Sequence, residues 1–278
     1  MSRLVSFSVV IGVTVVVLTY FTPTHHLPFP HILELARQHT HQSSDQLNPL
    51  QGRVAVVTGS TSGLGMEISA ELYHLGATVI LASRSLAKLE KTRSLIMSRY
   101  NSSLGKLHIL ELDTSDLESV QKFLRHVRLE FPSIHYLINN AGIHYTSQGD
   151  AMSDKDILLE SKQGFDLAFA TNYLGHFLLT ESLRSLLIKS ANDSKTPSKV
   201  IQISSTVHES SSGSMLLPSE DLEVMPSAAM PSGRDMTHRD RAYANNKLAQ
   251  ILHAQELHRH LEAANETSKI RVLSVCPG

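Results

Sequence analysis

The chain has 278 residues, with 25 Lys or Arg against 26 Asp or Glu, and a formal charge of −1 at pH 7. That balance offers no basic surface to a phosphate backbone, so nucleic acid is excluded as an expected partner. Hydrophobic residues make up 41% and charged residues 18%, enough apolar material for a core and too little charge for a disordered chain. The single cysteine, Cys276, rules out an internal disulfide and a cysteine-built zinc site.

Residues 4–21, LVSFSVVIGVTVVVLTYF, carry no charge; at a rise of ~1.5 Å per residue they span about 27 Å, the core of a thin bilayer. Residues 1–21 are therefore expected to hold a single N-terminal transmembrane helix, a signal anchor. A cleaved signal peptide is the weaker alternative, because the stretch is long for an apolar signal region and no small-residue cleavage pattern follows. Residues 22–50 contain His25, His26, His31, His39 and His41 among prolines, Ser and Gln. Their irregular spacing reads as a solvated linker, with no metal site expected.

From residue 51 onward, short β-branched runs alternate with stretches of helical period, the pattern of a parallel sheet with helical crossovers. The predicted strands are VAVVT at 54–58, TVILAS at 78–83, LHILEL at 107–112, YLIN at 136–139, KVIQIS at 199–204 and IRVLSV at 270–275. The first strand runs into a glycine-rich turn, Thr58 to Gly65, and a helix that ends at Gly76. Ser115 and Glu118 form an expected capping box for the helix that Pro132 terminates. Residues 206–242 are rich in Ser, Pro, Met and Gly without sustained period, which predicts a surface excursion near a functional site. The expected fold class is α/β: a doubly wound parallel sheet with six strands present, forming one domain over residues 51–278.

Glycines where a strand turns into a helix let backbone N–H groups approach a pyrophosphate at the positive helix end. The absence of a lysine after Gly65 excludes the P-loop pattern, so a dinucleotide is the expected ligand. Thr58, Gly59, Gly63 and Gly65 match TGxxxGxG, Asn139-Asn140-Ala141-Gly142 match NNAG, Tyr243 and Lys247 match YxxxK, and Pro277-Gly278 match a terminal PG, with Asp113 at an adenine-side position. On these ordered motifs the sequence resembles the short-chain dehydrogenase/reductase family. TNYLGHFLLT at 171–180 and the long segment between Ser205 and Tyr243 resemble its retinol-dehydrogenase-like branch, which often carries an N-terminal membrane anchor.

The resemblance implies a Rossmann sheet of strand order 3-2-1-4-5-6 and a catalytic set of Asn172, Ser205, Tyr243 and Lys247. The implied cofactor-binding residues are Thr58, Gly59, Ser62, Gly63, Leu64, Gly65, Arg84, Asp113, Asn140, Ala141, Gly142, Tyr243, Lys247, Pro277 and Gly278. In that scheme Ser205 hydrogen-bonds the substrate oxygen, although a strand-end cap is its plainer role. Asn172 holds a water that links Lys247 to solvent; a helix-interior Asn is otherwise unfavourable. Gly175 marks either a close approach or a cost in helix stability.

Residue chemistry agrees with these roles. The i, i+4 spacing puts Tyr243 and Lys247 on one helix face, where a cation is expected to lower the phenol pKa from about 10 towards neutrality. Tyr243 then serves as acid or base. At the end of the second strand, Ser83 and Arg84 stand where a carboxylate would select NAD. Arginine binds a 2′-phosphate, so NADP (NADPH) is the expected cofactor, with Lys88 read as a solvated lysine.

The expected activity is NADP-dependent hydride transfer to or from a lipophilic retinoid, steroid or lipid-like carbonyl or alcohol. The rival is a weak or inactive nucleotide-binding protein with an interaction role; a light-dependent pigment reductase is a more distant relative. The family continues beyond its PG motif into a substrate-covering segment and a further strand, so the chain is expected to be truncated, with its sixth strand an edge that a homodimer partner would cover. Localisation is expected at the endoplasmic reticulum membrane, single-pass, with the catalytic domain cytosolic. Charge gives almost no orientation signal, since Arg3 and Arg37 flank the span. Sequons at Asn101, Asn192 and Asn265 are all predicted in loops.

Overall fold

The computed structural model describes residues 48–101, 103–144, 160–211 and 236–276. The apolar stretch 4–21, most of the linker, residues 212–235 and Pro277-Gly278 lie outside the described residues. Among the described residues, no helix is long and apolar enough to cross a membrane.

In chain order the elements are β1 (Val54–Thr58), α1 (Gly63–His74), β2 (Thr78–Ser83), α2 (Leu86–Arg99), β3 (Lys106–Glu111), α3 (Leu117–Glu130) and β4 (Tyr136–Asn139). A short helix α4 (Leu167–Phe169) then passes through a π-helical segment, Ala170–Leu174, into α5 (Gly175–Ser194). After β5 (Ser198–Ile203) come a 3-10 turn (Thr206–Ser210), α6 (Met236–Ala263) and β6 (Ile270–Val275). All the strand pairings are parallel, in the order β3-β2-β1-β4-β5-β6 that the motifs imply. β3 and β5 each begin one residue earlier than their apolar runs, because Lys106 and Ser198 already pair with Thr78 and Ile270.

Successive strand residues face opposite sides of the sheet, so each apolar run builds two cores. Val56, Ile80, Leu137 and Val200 pack with Phe123, Leu183, Leu187 and Leu257 under α3, α5 and α6. Ala55, Val57, Leu81, Ile138 and Ile201 pack with Ile68, Leu72, Leu89 and Ile96 under α1 and α2. Burying each such side chain is worth roughly 1.5 to 3 kcal/mol. Leu50, read as the end of the linker, joins the second core, and its N–H donates to the Leu75 carbonyl (3.0 Å).

Three local expectations are corrected. Asp116, not Ser115, caps α3: its side chain accepts from Glu118 N, while Ser115 Oγ donates to Asp113. Asn192 lies inside the last turn of α5, which runs on until Lys195 adopts a left-handed backbone, φ 53°; Asn101 and Asn265 do sit in turns. The 206–242 excursion is shorter than its composition suggests, since helix α6 begins at Met236. β6 is an outer strand of the sheet, and its Leu273 is exposed.

Candidate active site

The C-terminal ends of β1 to β4 open onto a cleft of about 400 Å³. Its floor is the glycine turn, where Gly59 sits at φ +65° and a side chain would bring Cβ within 2.8 Å of Ala141 Cα. At Gly65 a Cβ would strike the Asn140 side chain and lie 2.5 Å from the Gly59 carbonyl oxygen. The two glycines thus let the turn, α1 and the loop after β4 close on each other. Asn140 cements the junction, its Nδ2 donating to Thr58 O (2.8 Å) and Gly59 O (3.3 Å). Ser62 precedes α1 without a side-chain capping bond, and the first turn has no acidic residue. Its first N–H groups are left for an anion such as a pyrophosphate.

At the far end of this cleft stand Ser83, Arg84, Ser85 and Lys88, and among the described residues no carboxylate lines it. Lys88, read as merely solvated, belongs to this cationic end: Ser85 caps α2 by accepting from Lys88 N (3.4 Å) and so orients that turn. Asp113 flanks the cleft without being among its lining residues. Its neighbours Leu112 and Thr114 line the cleft, and Asp113 Oδ1 accepts from Ser115 N (2.9 Å) and Ser115 Oγ (2.6 Å), which folds the loop before α3.

A second cleft of about 640 Å³ shares Leu64, Asn140, Gly142 and Ile143 with the first, so the two form one continuous groove. Tyr243 and Lys247 enter it from α6, and Ser204 and Ser205 from the end of β5. The i, i+4 spacing brings Lys247 Nζ within 5.5 Å of the Tyr243 ring centre. Nζ donates to the Ile203 carbonyl (2.7 Å), and Ser204 Oγ donates to the Lys247 carbonyl (2.8 Å), which pins α6 to β5. Burial lowers the Lys247 ammonium to about 8. The expected lowering of the Tyr243 phenol is not found: burial raises it. Ser205 takes the plainer part expected of it, its Oγ accepting from Val207 N (3.3 Å) to start the 3-10 turn, and the residue also lines the groove.

Asn172 is fully buried in the π-helical segment and is engaged on both sides. Its Oδ1 accepts from Ile143 N (2.8 Å) and its Nδ2 donates to Ile143 O (2.9 Å), holding the loop after β4. Its carbonyl accepts from His176 Nδ1 (3.0 Å) and Gln250 Nε2 (2.8 Å). These bonds make Asn172 a tether between the loop after β4, α5 and α6. Gly175 resolves to a close approach: a Cβ there would collide with the Thr114 carbonyl.

The family model for short chain dehydrogenases matches residues 53–216. The chain belongs to the short-chain dehydrogenase family. Retinol dehydrogenase 14 of Homo sapiens is 31% identical over 232 residues, covering 80% of this chain and 61% of the relative. Polyprenol dehydrogenase of Danio rerio is 33% identical over 231 residues, covering 82% of this chain and 61% of the relative. The chain thus spans 61% of the length of these relatives. Among solved structures, an uncharacterised protein of Mycobacterium paratuberculosis is 30% identical with a TM-score of 0.60, over 83% of this chain and 69% of its own. A metagenomic short-chain oxidoreductase in complex with NADP shares the fold, at 24% identity and a TM-score of 0.57 over 82% of this chain and 83% of its own.

In this short-chain dehydrogenase the motifs located the groove, and three of its features escaped them. Lys88 and Ser85 complete the cationic end, Gln250 and His176 hold Asn172, and the His144 ring lies 4.3 Å from that of Tyr243. His176 had a usable signal, a polar residue one helical turn after Asn172 on a face otherwise occupied by Leu179 and Leu183. Pro277 and Gly278 lie outside the described residues.

Proposed function

We propose that the protein is an NADP-dependent oxidoreductase acting on the carbonyl or alcohol of a lipophilic substrate, with Tyr243 as the general acid or base. The observation that carries this reading is one groove joining a cationic end, Arg84 and Lys88 with no carboxylate among the described lining residues, to the Tyr243 and Lys247 pair. Arg84 would hold the 2′-phosphate and the first turn of α1 the pyrophosphate; when bound, the nicotinamide supplies or accepts the hydride. A phenol raised by burial is protonated at neutral pH, the form that carbonyl reduction needs, because the substrate oxygen must gain a proton as the carbonyl carbon gains the hydride. Tyr243 donates that proton, Lys247 lies beside it as the next proton source, and the Ser205 hydroxyl donates to the same oxygen and orients it. Leu64, Met66, Ile143 and Ile203 give this end of the groove an apolar wall, and the names of two relatives, retinol and polyprenol dehydrogenase, support a lipophilic alcohol or aldehyde.

The test is NADPH oxidation with retinoid, steroid and long-chain aldehydes, for the wild-type chain and Tyr243→Phe. Turnover lost in the variant with NADPH binding kept supports the reading; NADPH binding without turnover on any substrate assigns the nucleotide-binding role instead. The anchor belongs to the same proposal, with residues 4–21 spanning the endoplasmic reticulum membrane once and the domain on the cytosolic side. Alkaline carbonate should leave the full chain in the pellet and release a chain starting near Gln51. A mobility shift on glycosidase treatment would overturn the orientation.

A further inference from the structure

We propose that His176 is a positioning residue that fixes the direction of the Thr58 hydroxyl and thereby holds the Asn140-Ala141 loop against the glycine turn. Its consequence for cofactor affinity rests on the reading of the groove as a dinucleotide site; the hydrogen-bond arrangement does not.

His176 lies at the start of α5, 1% exposed. Its Nδ1 is 3.0 Å from the Asn172 carbonyl and its Nε2 is 2.9 Å from Thr58 Oγ1. A carbonyl oxygen only accepts, so Nδ1 carries the proton; a neutral imidazole has one N–H, which leaves Nε2 as an acceptor. Thr58 Oγ1, buried at the end of β1, lies 2.9 Å from both Asn140 N and Ala141 N. Those two amides take its lone pairs, and its single proton goes to Nε2 at 2.9 Å in preference to the Ile138 carbonyl at 3.4 Å. Every donor in this set then has an acceptor with a free lone pair. The other tautomer, or a charged imidazole, would aim an N–H at an oxygen whose lone pairs are already in use. Burial holds the imidazole neutral by lowering it to about 4, and Lys247 and His253 oppose its charging further. Without an acceptor at position 176 the hydroxyl is free to turn towards Ile138, and the two amides lose a fixed partner just where the loop meets the groove.

Nitrogen-15 NMR of the full chain reads the tautomer directly, and hydrogen exchange reads the Asn140 and Ala141 amides. The expected result is an Nδ1–H imidazole at His176 and slow exchange at both amides. His176→Gln keeps an oxygen in reach of Thr58 and loses the donor to Asn172; His176→Asn keeps a donor near Asn172 and loses the acceptor for Thr58. His176→Asn should speed exchange at both amides and weaken NADPH binding, each by about tenfold, the scale of one buried hydrogen bond, while His176→Gln stays near wild type. Thr58→Val should reproduce the loss, and adding His176→Asn to it should add little. An Nε2–H tautomer in the wild-type chain overturns the inference, as do equal losses in the Gln and Asn variants, the mark of simple packing. A wild-type chain with the Nδ1–H tautomer and protected amides that binds neither NADPH nor NADH would sink the dinucleotide reading and leave the lock standing. If His176→Asn does not fold, the tautomer and Thr58→Val still decide.

Discussion

The two halves of the sheet bury different kinds of polar group. From β1 to α3 the buried polar side chains are short, namely Thr58, Ser60, Ser69, Thr92, Thr114, Ser115 and Asp116, and they mostly bond backbone, although Thr58 also reaches His176 and Asp116 reaches Lys162 and Gln163. Ser69 Oγ, for instance, donates to Gly65 O (2.7 Å) one turn back. From β4 to β6 they include Asn139, Asn172, His176, Gln202, Asn246, Lys247, Gln250 and His253. These reach across the fold: Asn139 Nδ2 donates to Thr180 (2.9 Å), and Gln202 Nε2 meets His253 Nδ1 (3.4 Å). Among the described residues, Asn139 Oδ1, Gln202 Oε1, Asn246 Nδ2 and Gln250 Oε1 have no hydrogen-bond partner. The first half shapes its part of the groove with backbone and sterics, which costs little in polar burial. The second half places acid-base groups, and these need side chains that are expensive to bury unless paired.

That contrast can be broken experimentally. The largest effect is expected at Tyr243→Phe, which should cut turnover by about 10²- to 10⁴-fold and leave NADPH affinity and urea stability unchanged; comparable turnover would remove Tyr243 from the chemistry. In the first half, Phe123→Ala should cost about 3 to 5 kcal/mol of stability in urea unfolding by opening a cavity in a fully buried site. NADPH affinity of the folded fraction should hold, and a large affinity loss would mean that the core, not the turn, shapes the cleft.

Acid should act through two buried histidines, His135 just before β4 and His176 in the second half. Burial lowers His135 and His176 from 6.5 to about 4, so between those values the unfolded chain binds more protons than the folded one. Stability is therefore complete above pH 6.5 and declines as pH falls towards 4, by an amount on the order of 3 kcal/mol for His176. Urea midpoints measured across that range check the sign, and a midpoint that rises on acidification would refute it. Arg84→Ala should cost about 1.5 to 3 kcal/mol of NADPH affinity with little change for NADH; equal losses would mean that Arg84 does not read the 2′-phosphate. The smallest effect is expected at Asp116→Ala, which removes the α3 cap for about 1 kcal/mol in thermal unfolding without altering turnover. If Ser115→Ala costs more, the capping box was the right reading after all.

The sequence by itself determined the order of elements, the two-sided apolar cores and the location of the groove. Alternation in VAVVT and the helical periods are local consequences of backbone geometry, and a glycine where β1 meets α1 has few other reasons to be there. What only the tertiary structure decided is how polar groups far apart in the chain pair with one another. Thr58 meets His176, Lys247 meets Ile203, and Asn172 meets both Ile143 and Gln250. Asp113 pairs with Ser115 beside the cleft, and the Tyr243 phenol was raised and not lowered. Hydrogen-bond direction and desolvation depend on distances between separate elements to within a few tenths of an ångström, and no periodicity or motif spacing along the chain carries that information.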